Sequence, residues 1–281
     1  MISVAGTRDR QYDDSNMKTQ FAGALAVLSL VSLAFGQGQR PGGPAPRLPV
    51  DTNLGVNSGK PDLGGKGMWD IPYVTDMAKA SGIADNAIIP LGVKRGGVTR
   101  ATNVPFKPEA KKIFDQRADT LSKDDPEGHC LPPGVPRVMY TPHPMEILQL
   151  PNRIVIIYEI GTLWRNIWMD GRQHPKDPNP TYLGDSIGHW EGDTLVIDVT
   201  GFNAQTWLEY AGHPHGEKLH VIEKYSRPNL NTLHYEATID DPEYYTQPWT
   251  VPMNIPWVPG QELSEYVCLQ NNRDLEHLVG K

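Results

Sequence analysis

The chain is short of cysteine, of clustered charge and of long apolar runs, and each shortage narrows its class. Two cysteines, Cys130 and Cys268, stand among 281 residues. Without Cys-x-x-Cys spacing they offer neither a zinc ribbon nor a redox motif. Lys and Arg number 26 against 33 Asp and Glu, for a net charge of −7. That mildly acidic, dispersed balance excludes a nucleic-acid surface, which needs clustered cations to displace phosphate counterions. After the N-terminal region no apolar stretch reaches the roughly 18–20 residues that span a bilayer. There is no Gly-x-Ser-x-Gly elbow, no His-Glu-x-x-His, no phosphate-binding loop and no dinucleotide fingerprint. Three classes survive: a small-molecule binding module, an enzyme working by acid–base or metal chemistry, and an interaction domain.

The N-terminus differs from the rest. Residues 1–16 precede Met17, where a new pattern begins: Lys18, an apolar and small-residue run from Phe21 to Phe35, then Ala34-Phe35-Gly36. This reads as a secretory signal peptide over 17–36, with 1–16 upstream of the true start. The alternative is an uncleaved anchor helix. Segment 1–36 carries Arg8, Arg10 and Lys18 against Asp9, Asp13 and Asp14, so its removal leaves the net charge at −7. The mature chain is then secreted or periplasmic, with no integral membrane segment. In an exported chain an even pair of cysteines is most simply a Cys130–Cys268 disulfide; the alternative is two free thiols. Residues 37–66, rich in Pro and Gly, read as a flexible leader, because they carry too little apolar area to offset ordering entropy. Residues 67–281 read as a single β-rich domain.

Pro108 to Leu121 has Pro in the first turn, Glu109 at the positive end of the dipole, and Ala110, Ile113, Phe114, Ala118 and Leu121 at helical spacing. From about 138 to 256 the period becomes two. Segments 145–150, 153–160, 163–170, 186–190, 194–200, 219–226 and 232–239 read as strands, and 246–256 as a Pro-interrupted edge strand. The expected fold is mainly β: an antiparallel meander forming an up-and-down (lipocalin-like) barrel or a curved sandwich, with one N-terminal helix. The barrel is favoured because closure removes unpaired edges.

Four stretches carry a resemblance: Asp125-Pro-Glu-Gly-His-Cys130, Trp164-Arg-Asn-Ile-Trp-Met-Asp-Gly-Arg172, Asp185-Ser-Ile-Gly-His-Trp-Glu-Gly-Asp-Thr-Leu-Val-Ile-Asp198 and Cys268-Leu-Gln-Asn-Asn-Arg273. Over about residues 105–281 the chain resembles a group of secreted bacterial proteins that share these patterns and have no assigned activity. The resemblance implies export and a shared β-rich domain, and implies nothing about chemistry.

The densest chemistry lies in Gly212-His-Pro-His-Gly-Glu-Lys-Leu-His-Val-Ile-Glu223, which holds three of the nine histidines. His213, His215 and Glu217 are the candidate metal set, since two imidazoles two residues apart can share an ion on an extended chain. Without a metal, His213 and His215 are the candidate acid–base pair, with Asp198 as an orienting or basic carboxylate. The plainer reading is a polar connecting loop. On a strand, His220 and Glu223 point to opposite faces. Trp164, Trp168, His234 and Glu236 are candidate ligand-binding residues if the polar strand faces line a barrel interior; otherwise those faces are the wet outside. Asp124-Asp125-Pro-Glu127 does not match a calcium loop and reads as a helix terminator. The leading function is a β-barrel module that binds a small, partly apolar molecule in its interior. The alternatives are a hydrolase, isomerase or lyase using the His213/His215 loop, and an envelope interaction domain. No cofactor is expected; a divalent transition metal is the alternative.

Overall fold

The computed structural model describes residues 57–80 and 104–270. The segments read as a false start and a signal peptide lie outside the described residues, as does most of the leader. Nine strands close into a barrel: β1 (Gly67–Trp69), β2 (Met145–Leu150), β3 (Arg153–Tyr158), β4 (Leu163–Trp168), β5 (Asp185–Glu191), β6 (Thr194–Thr200), β7 (His220–Asn229), β8 (Thr232–Asp240) and β9 (Trp249–Pro259). Among the described residues two α-helices precede β2: a single turn, α1 (Met77–Ala80), and α2 (Pro108–Asp119). Among the described residues no helix is long and apolar enough to cross a membrane.

The barrel departs from the expected meander at three places. First, β1 is an added strand: its three residues pair with β9, and Trp69 alone pairs with β2, at Met145. It is too short to show a period. Second, β9 is not an edge, because it pairs with β8 on one side and β1 on the other. Its prolines, at 252, 256 and 259, alternate with residues that keep the ladder. Third, β4 and β5 run parallel and share one bridge, Trp168 with Ile187. The Pro-rich segment 169–184 therefore crosses the length of the barrel instead of turning back.

The two ends of the barrel are built differently. Tight turns at 151–152, 192–193 and 230–231 gather at one end, where Gly192 takes φ 59°. The described parts of the long connections, 70–80, 104–144, 201–219 and 241–248, gather at the other. Residues 57–66, read from sequence as the end of a flexible leader, lie against the tight-turn end. Leu63 is fully buried, its N–H donates to Gln149 Oε1 at 2.6 Å, and Arg227 donates to the carbonyl of Gly64 at 3.1 Å. Side chains of the barrel supply the partners this segment's own composition lacks.

Helix α2 has Pro at its first turn, Glu109 in that turn and Arg117 in the last. It stops two residues short of the expected Leu121. Leu121 and Ser122 take φ 55° and 57°, and their N–H groups close onto the carbonyls of Ala118 and Arg117 at 3.1 and 2.9 Å. That is the left-handed termination of a helix, achieved here without glycine.

Alternation decides which residues point inward. The β8 face of Leu233, Tyr235, Ala237 and Ile239 is fully buried, as are Leu195, Ile197 and Val199 on β6 and Ile154, Ile156 and Tyr158 on β3. Each fully buried Ile, Val or Leu among them contributes about 1.5–3 kcal/mol. Trp69, Tyr140, Tyr158, Tyr225, Tyr235 and Met145 fill the centre. The interior is thus packed, and the spacious hollow expected for a ligand is taken up by aromatic rings.

Candidate functional site

The packed interior holds a polar knot. Arg165 on β4 and Glu223 on β7, both almost fully buried, form an ion pair through Arg165 Nη2 and Glu223 Oε2. Arg165 Nε donates to Ser186 Oγ at 2.8 Å. The Tyr225 and Tyr235 hydroxyls each donate to Glu223 Oε1 at 3.0 Å. Burial disfavours the Arg165 cation, but Glu223 outweighs it and raises the guanidinium above its ordinary range. Burial also pushes the Tyr158 phenol up to about 12, and Tyr225 and Tyr235 well above their ordinary value. The knot is therefore one cation, one anion and neutral phenols, which is how a charge pair survives inside a barrel. Tyr235 meets Tyr140 edge-on, ring centroids 6.3 Å apart, and Tyr140 belongs to the wall of an open cleft.

That cleft, of about 350 Å³, is built from the long connections at the loop-bearing end. Tyr73, Arg137, Tyr140, His143, Tyr210 and Tyr266 line it. Tyr73 and Tyr210 stand edge to face at 6.2 Å, as do His143 and Tyr266 at 4.7 Å. Beneath its surface Arg137, 3% exposed, donates from Nε to Glu127 at 2.5 Å and from Nη2 to Asp125 at 2.7 Å. Burial opposes this charge, yet Glu127 and Asp125 raise its pKa. The acidic run after α2 thus ends up holding a guanidinium. Among the described residues Arg137 Nη1 and the Tyr140 hydroxyl have no hydrogen-bond partner. Cys130 and Cys268 are bonded as expected, Cα atoms 5.7 Å apart, so the cleft wall at His129 is joined to the tail that carries Tyr266.

The histidine loop does not converge as a metal set. His213, 1% exposed, is wedged among Phe106, Phe114 and Trp249 at 5.3, 4.4 and 5.5 Å, with Nδ1 on Glu209 at 2.7 Å. His215 faces other partners: Nδ1 donates to the Gly216 carbonyl at 3.1 Å and Nε2 accepts from Thr206 Oγ1 at 2.7 Å. Burial lowers its pKa, in keeping with that neutral arrangement. Glu217 is exposed. The reason is that the loop is not an extended strand: residues 211–216 are all buried, His213 and His215 in two separate packing sites, while Glu217 reaches water. Among the described residues the one group with ligand atoms within 4.8 Å of one another is Asp76, Glu209 and His213. Glu209 also accepts the backbone N–H groups of Met77, Gly212 and His213 at 3.2, 3.0 and 3.1 Å, which makes it a strut between two loops.

The other expected residues lie outside the barrel. His234 and Glu236 are half exposed on the outer face of β8, paired at 3.2 Å, because Tyr235 and its neighbours take the inside. Trp164, 61% exposed, and Trp168 line an outer groove of about 390 Å³ over the β4–β5 seam. Arg172 and Arg153 lie over the Trp168 ring at 3.9 and 5.6 Å. Asp198 faces out between two imidazoles, with Oδ1 at 2.8 Å from His220 Nε2 and 3.1 Å from His174 Nε2, while His174 Nδ1 meets Asp185 at 2.6 Å. His174 escaped the sequence reading because it sits in a Pro-rich segment with no period. Arg165 escaped it too, since its partner Glu223 lies 58 residues away, and Arg137 and Tyr140 because they sit in a Pro-rich stretch with no period.

No protein-family model, curated protein or solved structure matches this chain.

Proposed function

We propose that the protein is an exported β-barrel module that binds a small, partly apolar molecule in the cleft at the loop-bearing end. One observation carries this reading. Buried Arg137 and Tyr140, each with an unpartnered donor among the described residues, underlie a cleft walled by Tyr73, Tyr210 and Tyr266. Apolar walls with a few placed polar groups are the usual composition of ligand sites, and about 350 Å³ lies in the range such sites occupy. Export is read from residues 17–36 and from the resemblance to secreted bacterial proteins. The Cys130–Cys268 bridge supports it, because disulfides persist outside the reducing cytosol.

The test is a titration of isotope-labelled protein with small aromatic and aliphatic probes, followed by amide chemical shifts. Perturbations should gather at residues 73, 122–143, 210 and 266. Shifts gathered at the outer groove beside Trp164, or none at millimolar probe, would overturn the reading.

A second reading, an acid–base enzyme, is favoured by the two imidazoles on Asp198. It relocates the acid–base chemistry from the His213/His215 loop to His174, Asp198 and His220. Alanine at His220 would then abolish turnover of a substrate that binds normally.

A further inference from the structure

The cleft at the loop-bearing end is rich in donors, with His129 and His143 also on its lining. A guanidinium only donates. Burial pushes the Tyr73 phenol up to about 12 and holds Tyr140 well above its ordinary value, and Tyr266 is raised for the same reason. All three are protonated at neutral pH and able to donate. The carboxylates beneath the cleft are engaged. Asp125 accepts from Arg137 at 2.7 Å and from the Glu127 N–H at 3.1 Å. Glu127 Oε2 accepts from Arg137 at 2.5 Å and from the Thr141 hydroxyl at 3.3 Å.

Charge narrows the choice further. Asp125 and Glu127 offset the charges of Arg137 and Lys123, so the lining carries no surplus charge of either sign. An anionic head group would meet Asp125 and Glu127 at close range, where like charges repel. A cationic head group would sit against the unpartnered N–H of Arg137, although tyrosine faces attract cations. The edge-to-face pairs Tyr73–Tyr210 and His143–Tyr266 present flat walls suited to a ring.

We infer that the cleft takes an uncharged aromatic molecule whose acceptor oxygen, a carbonyl or ether, receives the donors of Arg137 and Tyr140. This rests on the reading of the cleft as the ligand site.

Three probes of one ring size separate the two ideas: acetophenone, benzoate and benzylamine. Each is titrated into the disulfide-bonded protein at neutral pH and physiological salt, with amide shifts as the readout. Acetophenone should bind at least about tenfold more tightly than either charged probe. Tyr140→Phe should weaken acetophenone about fivefold or more while thermal unfolding stays cooperative. Arg137→Lys, which keeps the charge but loses the fork, should weaken it too. If benzoate or benzylamine binds as well as acetophenone at cleft residues, the ligand class is wrong and the site stands. If none of the three moves cleft residues at millimolar concentration, both ideas fall.

Discussion

Arg165 on β4 spans the inside of the barrel to Glu223 on β7, and on the way its Nε bonds Ser186 on β5. Backbone pairing between β4 and β5 is limited to one bridge, so this side chain ties together strands that the ladder leaves nearly unjoined. Replacing either charge alone leaves the other buried and uncompensated. Arg165→Met or Glu223→Gln should each lower stability by about 3–5 kcal/mol. The double variant Arg165→Met/Glu223→Gln should lose less than the sum. Urea unfolding of the three proteins checks this, and additive losses would show that the pair is not the link.

Acid should destabilise the fold in two stages. His215 has a pKa below its ordinary 6.5, the first cause being burial. Between that lowered value and 6.5 the unfolded chain binds the proton and the folded one does not, so stability is intact above 6.5 and drains as pH falls below it. Glu209, fully buried, is pushed up by desolvation but brought below its ordinary 4.5 by His213 and by hydrogen bonds. Its contribution is present above 4.5 and is lost only below that pH. Melting temperatures measured across this range should show the earlier loss shrink in His215→Gln. An unchanged profile would remove His215 as its source.

Reduction of Cys130–Cys268 opens a link across 138 residues. The expected loss is about 2–5 kcal/mol. Tyr266, two residues from Cys268, should also leave the cleft wall. Thermal melts with and without reductant, paired with probe binding, test both parts. Intact binding at full affinity in the reduced protein would mean that Tyr266 is not needed there.

Gly134 precedes the turn that carries Arg137 and Tyr140. It takes φ 78°, and a Cβ there would sit 2.9 Å from both the Tyr182 carbonyl oxygen and Thr206 Oγ1. Gly134→Ala should cost about 2 kcal/mol or more, since left-handed strain and a backbone clash add. A change below about 0.5 kcal/mol in chemical denaturation would contradict this.

The strands were legible because period two survives in the sequence, and β2, β3, β6 and β8 fall close to where alternation puts them. Which face is the inner one was not legible. On β4 the tryptophans share one face and Arg165 and Ile167 the other; hydropathy favours turning the tryptophans inward, yet Arg165 is buried. Its partner Glu223 lies 58 residues away, and nothing local announces the pair. One signal was available: Glu223 shares a face with Val221 and Tyr225, and a lone carboxylate on an apolar face calls for a buried cation. The disulfide was readable from cysteine count. The cleft was not, because its walls come from irregular connections whose hydrogen bonds run to side chains far along the chain. Asp198 was singled out, but its neighbour His174 came from a segment with no pattern to read.

The lone Trp168–Ile187 bridge sets how this barrel breathes. The β1–β2 seam also has one pair, Trp69 with Met145, but there Gln149 of β2 bonds Leu63 and Pro61 as well. The remaining ribbons are stitched by runs of pairs, up to the eight of β8 with β9. Fluctuations will concentrate where stitching is thinnest. Opening should begin as a lengthwise crack beside the exposed Trp164, reaching Ser186 and Arg165 before either end frays, so that solvent first meets the buried charges through the flank.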